Sequence, residues 1–412
     1  MNNYQMDVLA GVDVGNGYVK AKLSLDGGAP VLADMPSAVS WISDVAGVPV
    51  EPTDEYLDGL VNELDCTIDS PAIRATDKSR LLVGRRAVAS GDMPIMFDID
   101  NATPKCDDPL AYELILATLA GTAVREFWFR ERELPSEILR VRAYLGVALP
   151  IADFTAYAAT YRSRLMGATH VVHVKNFDRE VTVEVVVAGV EVLPEGAAAQ
   201  YAIVDMGAPF LDLALRQARE SGLDIDESET GVKLANYEDT VGIDIGEGTV
   251  NFPVFRKGHV AVESSSSINQ GWGTVLDRVV AETRTMAFAP KSRKDLAEFL
   301  ARPAVSGRDE KLKRVFAGYV EREAEVFART VMMEYNRVFG SVKFDTQVVY
   351  VYGGGATPMR EALYPKLIHE AEIAPGIVTP VIWLDSAYSR DLNRNGLFIF
   401  AQAARERQLA GQ

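Results

Sequence analysis

One nine-residue phrase occurs twice in this chain, and it constrains the fold more than any other feature. Gly11-Val12-Asp13-Val14-Gly15-Asn16-Gly17-Tyr18-Val19 returns as Gly242-Ile243-Asp244-Ile245-Gly246-Glu247-Gly248-Thr249-Val250, with five of nine positions identical. Two of the differences, Val12/Ile243 and Val14/Ile245, exchange one apolar residue for another. Each copy reads as a buried strand that ends in an acid and turns on two glycines. Glycine lets backbone come close to a ligand and aim N–H groups at it, an arrangement suited to phosphate. An aspartate beside phosphate requires a cation between them, normally Mg²⁺ on oxygen ligands. Two such hairpins in one chain imply two similar halves serving one nucleotide polyphosphate.

Composition narrows the class. At 412 residues the chain can form two substantial cores, and 48% apolar residues is an ordinary globular proportion. A net charge of −16 argues against direct nucleic-acid binding, which needs clustered Lys and Arg, while leaving a basic partner protein open. The two cysteines, Cys66 and Cys106, lack CxxC spacing and are too few for a disulfide framework, which points to a reducing cytoplasm. Residues 1–10 hold no basic segment followed by an apolar run, so no secretory signal is expected. No uncharged apolar stretch reaches the ~18–20 residues that a membrane span requires.

Along the chain, strands alternate with helices twice over, which predicts an α/β class. Residues 7–25 read as two strands around the first glycine turn, with Asp26-Gly27-Gly28 turning next. Residues 28–105 are broken by Pro, Gly and Asp and read as a small subdomain with few strong elements. Asp108 caps and Pro109 opens a helix over 108–132. Strands are expected at 140–149, 171–174 and 180–187, with Ala188-Gly189 turning into 190–193. Residues 211–240 read as a helix and a surface loop. Further on come the second hairpin, a helix after Gly271-Trp272-Gly273, a largely helical stretch over 291–340, a strand at 347–352 and a last helix from Leu392.

Four constellations carry chemistry. In the first hairpin the N–H groups of Gly15, Asn16, Gly17 and Tyr18 would cradle phosphate oxygens. Lys20 would add positive charge near the β-phosphate, and Asp13 would hold Mg²⁺ through water. In the second, Asp244 would lie beside a metal-bound or attacking water, with Gly246, Glu247, Gly248 and Thr249 forming its loop. A plain turn is the alternative for either loop, and the recurrence argues against it. Gly353-Gly354-Gly355-Ala356-Thr357, after a strand and before a helix that Pro358 starts, would let a base or ribose lie on bare backbone. Glu195, at a strand-to-helix junction, would orient or deprotonate the attacking water, or else merely favour the helix dipole. There is no GxxxxGK[ST] motif. His170 and His173 lie three apart in a strand, face opposite ways, and cannot share a metal.

In this order these motifs resemble the actin-type ATPase superfamily: phosphate 1 (Asp13–Ala21), connect 1, phosphate 2 (Asp244–Val250), adenosine (Gly353–Thr357) and connect 2. Gly146–Ile151, Val192–Gly196 and Asn393–Leu397 are similar to bacterial and archaeal segregation proteins of the ParM type. The resemblance implies an α/β, ribonuclease H-like duplicated, two-lobed fold with a nucleotide cleft between the lobes. Lobe I would comprise 1–197 plus 386–412, with a variable subdomain at about 28–105; lobe II would comprise 198–385. It further implies ATP (or GTP) and Mg²⁺, with Asp13 and Asp244 as metal residues and Glu195 and Asp244 as catalytic ones. The implied role is a cytoplasmic, filament-forming ATPase that segregates plasmid DNA by self-association through a DNA-binding adaptor protein, touching neither nucleic acid nor membrane directly. A small-molecule kinase of the same superfamily is the alternative. The chain lacks room for the peptide-binding domain of the related chaperones, and its polar tail, Gln402–Gln412, differs from the amphipathic membrane helix of tethering members.

Overall fold

The computed structural model describes residues 5–43, 48–74, 80–91, 93–98, 103–203, 205–220, 236–286 and 288–411. The chain divides into two compact units, Met1–Ala202 with Asp391–Gln412, and Ile203–Arg390.

Unit 1 is built on a ten-stranded sheet. Its strands are β1 (Gln5–Val14), β2 (Tyr18–Leu25), β3 (Val31–Pro36), β4 (Ala38–Ile42), β5 (Asp65–Asp69), β6 (Arg80–Val83), β7 (Ile95–Met96), β8 (Leu139–Leu149), β9 (Thr169–Val174) and β10 (Val181–Pro194), in the order β3-β2-β1-β8-β10-β9-β5-β6-β4-β7. Antiparallel hairpins join β1, β2 and β3, while β8 runs parallel to both β1 and β10. The turn between β2 and β3 places Asp26 and Gly27 at positive φ, 50° and 73°.

Asp108 caps the helix Pro109–Glu131 as expected, its carboxylate accepting from the Leu110 amide at 3.0 Å. The helix is buried on every side from Leu110 to Val124, rather than along one stripe. Small residues make this possible: Ala117, Ala120 and Gly121 let neighbouring chain close in, with Val61 and Leu64 against Gly121.

Residues 28–105 contain β3 to β7 and the short helices Asp54–Asp58 and Arg85–Ala89, and β5 pairs with β9, so these strands continue the main sheet. They are short, and pairing with the sheet edge stabilises them where local periodicity does not. The chain also does not turn at Ala188-Gly189. β10 runs through as one strand with a bulge between Val187 and Gly189, because β8 pairs along its whole length and holds it extended.

The C-terminal helix Leu392–Ala410 lies directly on β1 and β8, and glycines set how closely. A Cβ on Gly11 would meet the Arg394 carbonyl oxygen at 2.5 Å; one on Gly146 would overlap the Leu397 carbonyl; one on Gly396 would overlap that of Ala198. The first glycine of the repeated phrase therefore serves helix packing.

Unit 2 has a seven-stranded sheet. It contains β11 (Thr240–Ile245), β12 (Val250–Phe252), β13 (Val254–Arg256), β14 (His259–Val260), β15 (Ser266–Ile268), β16 (Val348–Tyr352) and β19 (Val381–Trp383); β17 (Glu372–Ala374) and β18 (Ile377–Val378) form a separate pair. β11 is buried throughout, antiparallel to β12 and β13 and parallel to β16. Helices Trp272–Thr283, Gly307–Val342 and Ala356–Glu370 pack on it through Val275, Phe327, Val331, Tyr335 and Leu363. Of the expected helix and loop over 211–240, the helix is Ala208–Glu220, and 221–235 lie outside the described residues. In both units a central strand ends in a glycine loop that leads into its antiparallel neighbour.

Candidate functional site

The two loops share one backbone geometry. In the first, the Gly15 amide donates to the Tyr18 carbonyl at 3.0 Å; in the second, the Gly246 amide donates to the Thr249 carbonyl at 2.9 Å. In each, protein groups then hold two loop carbonyls. Ser37, fully buried between β3 and β4, donates its Oγ to the Gly15 oxygen (2.6 Å) and its N–H to the Gly17 oxygen (3.0 Å). In unit 2 the amides of Trp272 and Gly273 donate to the Gly246 and Glu247 oxygens at 2.9 and 2.8 Å. With these carbonyls tied back, the amides of Asn16, Gly17, Glu247 and Gly248 have no acceptor among the described residues. Amides left open on a glycine turn form an anion-binding nest.

Around the first loop, unit 1 gathers charged groups from four separate segments. Asp13 ends β1 directly opposite Lys20 on β2. Burial pushes the Asp13 carboxyl up from its ordinary range; Lys20 pulls it down, Glu195 pushes it up, and Lys105 and an Asn393 side-chain hydrogen bond pull it down, but burial prevails. An acid that its own protein leaves undercompensated fits a divalent cation. Glu195 follows β10, its amide bonded to the Leu149 oxygen at 2.7 Å. Its Oε1 accepts from the buried Lys105 ammonium at 2.7 Å, and that ammonium also donates to the Val14 carbonyl. Tyr18 is half-exposed beside the loop.

Unit 2 brings together Asp244, the second loop and the glycine triplet. Asp244 is buried at the end of β11, in register with Tyr352 on β16, and Gly353 follows at φ +99° against the Asp244 carboxylate. The Gly355 amide donates to the Ile245 oxygen at 2.8 Å, and Ala356 begins the next helix, fully buried. Glu247 is partly exposed and pairs with Arg293 at 3.4 Å. The three glycines differ in purpose. A Cβ on Gly355 would come within 2.8 Å of Ile245 and Trp272, whereas one on exposed Gly354 would meet nothing within 4 Å. Gly353 and Gly355 are thus required by the protein itself, whereas nothing in the packing requires Gly354 to be bare. Gly354→Ala should leave the thermal midpoint within about 1 °C and weaken nucleotide binding about tenfold, whereas Gly353→Ala should cost about 2 kcal/mol or more of stability. A Gly354→Ala protein that binds nucleotide as tightly as the parent would take the triplet out of the site.

No sequence motif marks Ser37, Lys105 or the supporting role of Gly271–Gly273. Ser37 lies in a bend between β3 and β4 and Lys105 opens the short 3₁₀ helix Lys105–Asp107, neither within a motif, and only the chain's return shows what they touch. His170 and His173 do face apart. His170 is buried between Ser70 Oγ (2.7 Å) and the Leu165 oxygen (2.9 Å), while His173 pairs with Glu180. Both cysteines are free and buried. Among the described residues no group of three or more His, Cys, Asp or Glu is placed to hold a metal, and no helix is long and apolar enough to cross a membrane.

Residues 11–197 match the sequence family described as the N-terminal domain of actin-like proteins. Solved structures extend the likeness over the rest: the whole chain has the α/β actin-like fold, in a form similar to ParM. The crystal structure of the actin-like protein Alp7A superposes with a TM-score of 0.64 at 17% identity, covering 99% of this chain and 98% of that one. ParM of Bacillus thuringiensis with ATP gives 0.60 at 16% identity over 99% and 100%. The archaeal actin homologue Ta0583 gives 0.59 at 15% identity over 97% and 99%. No curated protein sequence matches the chain.

Proposed function

We propose that this chain is a Mg²⁺-dependent, filament-forming ATPase of the ParM type that positions DNA through an adaptor protein in the cytoplasm. The observation that carries the reading is the shared loop geometry: two glycine turns, each beside a strand-end aspartate and each with two amides left open. Such nests suit phosphate oxygens, and Asp13 and Asp244 would hold the cation that accompanies them. Bound Mg²⁺ would neutralise phosphate charge as it builds. Lys20 would add charge at the β-phosphate, and Glu195 would orient the attacking water and take its proton. Gly353 to Ala356 would receive the adenosine. ParM of Bacillus thuringiensis has been solved with ATP and with ADP, which supports a nucleotide here too. ATP would favour a head-to-tail contact between copies, which builds filaments because it does not close, and hydrolysis would loosen it. A net charge of −16 suits a basic adaptor better than direct contact with DNA.

High-speed sedimentation with Mg²⁺ and ATP, GTP, ADP or no nucleotide, with phosphate assayed in the same tubes, tests this. Pelleting with triphosphate, followed by phosphate release and loss of pellet, is the expected result. A protein that turns over ATP yet stays in the supernatant at high concentration removes the filament and leaves the small-molecule kinase, which a panel of small acceptors would then identify.

A further inference from the structure

Lys105 is 6% exposed, an unusual place for an ammonium, since removing one from water is costly unless it is well paired. Its donors go to two acceptors: the Val14 carbonyl, immediately before Gly15, and Glu195 Oε1 at 2.7 Å. The Phe97 ring, its centroid 5.3 Å from Nζ, covers another side. Its backbone is held as well, the amide donating to Asp153 Oδ2 at 3.1 Å. Glu195 Oε2 has no partner among the described residues, and the side chain keeps 15% of its exposure.

We propose that Lys105 is a positioning residue: it binds Glu195 Oε1 to the stem of the first loop, which leaves Oε2 as the oxygen that accepts from water. The proposal rests on the hydrolytic reading of Glu195 given above. An apolar pair of similar volume would join β1 to the end of β10 at less desolvation cost, so stability alone does not account for a buried ion pair here. Orientation does. A glutamate carboxylate turns on three rotatable bonds; anchored through one oxygen, it presents the other in a restricted direction, and a displacement of about 1 Å at such a group costs on the order of a hundredfold in rate.

The test compares wild type, Lys105→Met, Lys105→Arg, Glu195→Gln and the Lys105→Met/Glu195→Gln double variant. Each is measured for kcat of phosphate release, for Kd of a fluorescent ATP analogue and for thermal midpoint. Lys105→Met should lower kcat about tenfold to a hundredfold and change Kd less than about threefold, with part of the rate restored by Lys105→Arg. In the Glu195→Gln background the same change should cost less than about twofold, because the group it positions is already disabled. A Lys105→Met protein with wild-type kcat, or an equal loss in both backgrounds, overturns the proposal. Should Lys105→Met fail to fold, the double variant decides, since it leaves no unpaired buried carboxylate; a further loss beyond Glu195→Gln overturns the proposal there too. A wild type that binds nucleotide but releases no phosphate removes the hydrolytic reading and this inference together, whereas an active wild type with an unaffected Lys105→Met removes only the inference.

Discussion

Glu195→Gln is expected to slow phosphate release about a hundredfold or more while leaving ATP binding within about threefold. The amide keeps the shape of the side chain and can still accept from Lys105 through its oxygen, so the end of β10 and the first loop should stay in place. What it loses is the ability to take a proton from water. The first loop, with its open amides, is held by Ser37 and by the Gly15–Tyr18 bond, neither of which involves Glu195. Binding and chemistry should therefore separate: with ATP the variant should pellet at least as well as the parent and disassemble more slowly. Phosphate release at the parental rate would take Glu195 out of the mechanism and return it to the role of a carboxylate at the head of helix Ala197–Ile203.

Gly146→Ala should have the largest effect on stability, on the order of 3 kcal/mol or more. β8 lies at the centre of the unit 1 sheet, with parallel partners on both sides, and the C-terminal helix rests on it at Leu397. A methyl at residue 146 would overlap the Leu397 carbonyl, with the Leu397 Cα only 3.1 Å away. The obstacle is backbone within a helix, so no rotamer change relieves it. Gly318→Ala in helix Gly307–Val342 is the contrasting case: nothing lies within 4 Å of its added Cβ, and helix propensity should raise stability by about 0.5–1 kcal/mol. Thermal and urea midpoints followed by far-UV circular dichroism read both. An unchanged midpoint for Gly146→Ala would show that the helix does not lie on β8.

Local chemistry made much of this molecule legible. A buried strand, an acid and a paired-glycine turn form a contiguous unit whose conformation depends on its own residues, so Asp13 to Tyr18 and Asp244 to Thr249 could be located from sequence and their kinship seen. The same holds for the Asp108-Pro109 helix start, whose capping bond spans two residues. Short strands were harder. β5 and β6 span Asp65–Asp69 and Arg80–Val83, too short for alternation to declare itself; β5 is fixed by pairing with β9, β6 by pairing with β5 and β4, and the two are joined by the buried Arg80–Asp65 ion pair. The Ala188-Gly189 pair has turn composition, but a full-length neighbour turned it into a bulge.

By itself, then, the sequence determined which segments turn, which acids end strands, and that the chain carries the same loop twice, because each of these is decided within a few residues. What supports those loops is set by contacts that form only when the chain packs. Ser37 reaches Gly15 across 22 positions, Lys105 reaches Glu195 across 90, and the glycines at 11, 146 and 396 acquire their purpose only when the last helix returns to the first strands. A hydrogen bond or close contact between residues distant in sequence leaves no mark on the local pattern of either partner, since its energy exists only once the fold has brought them together.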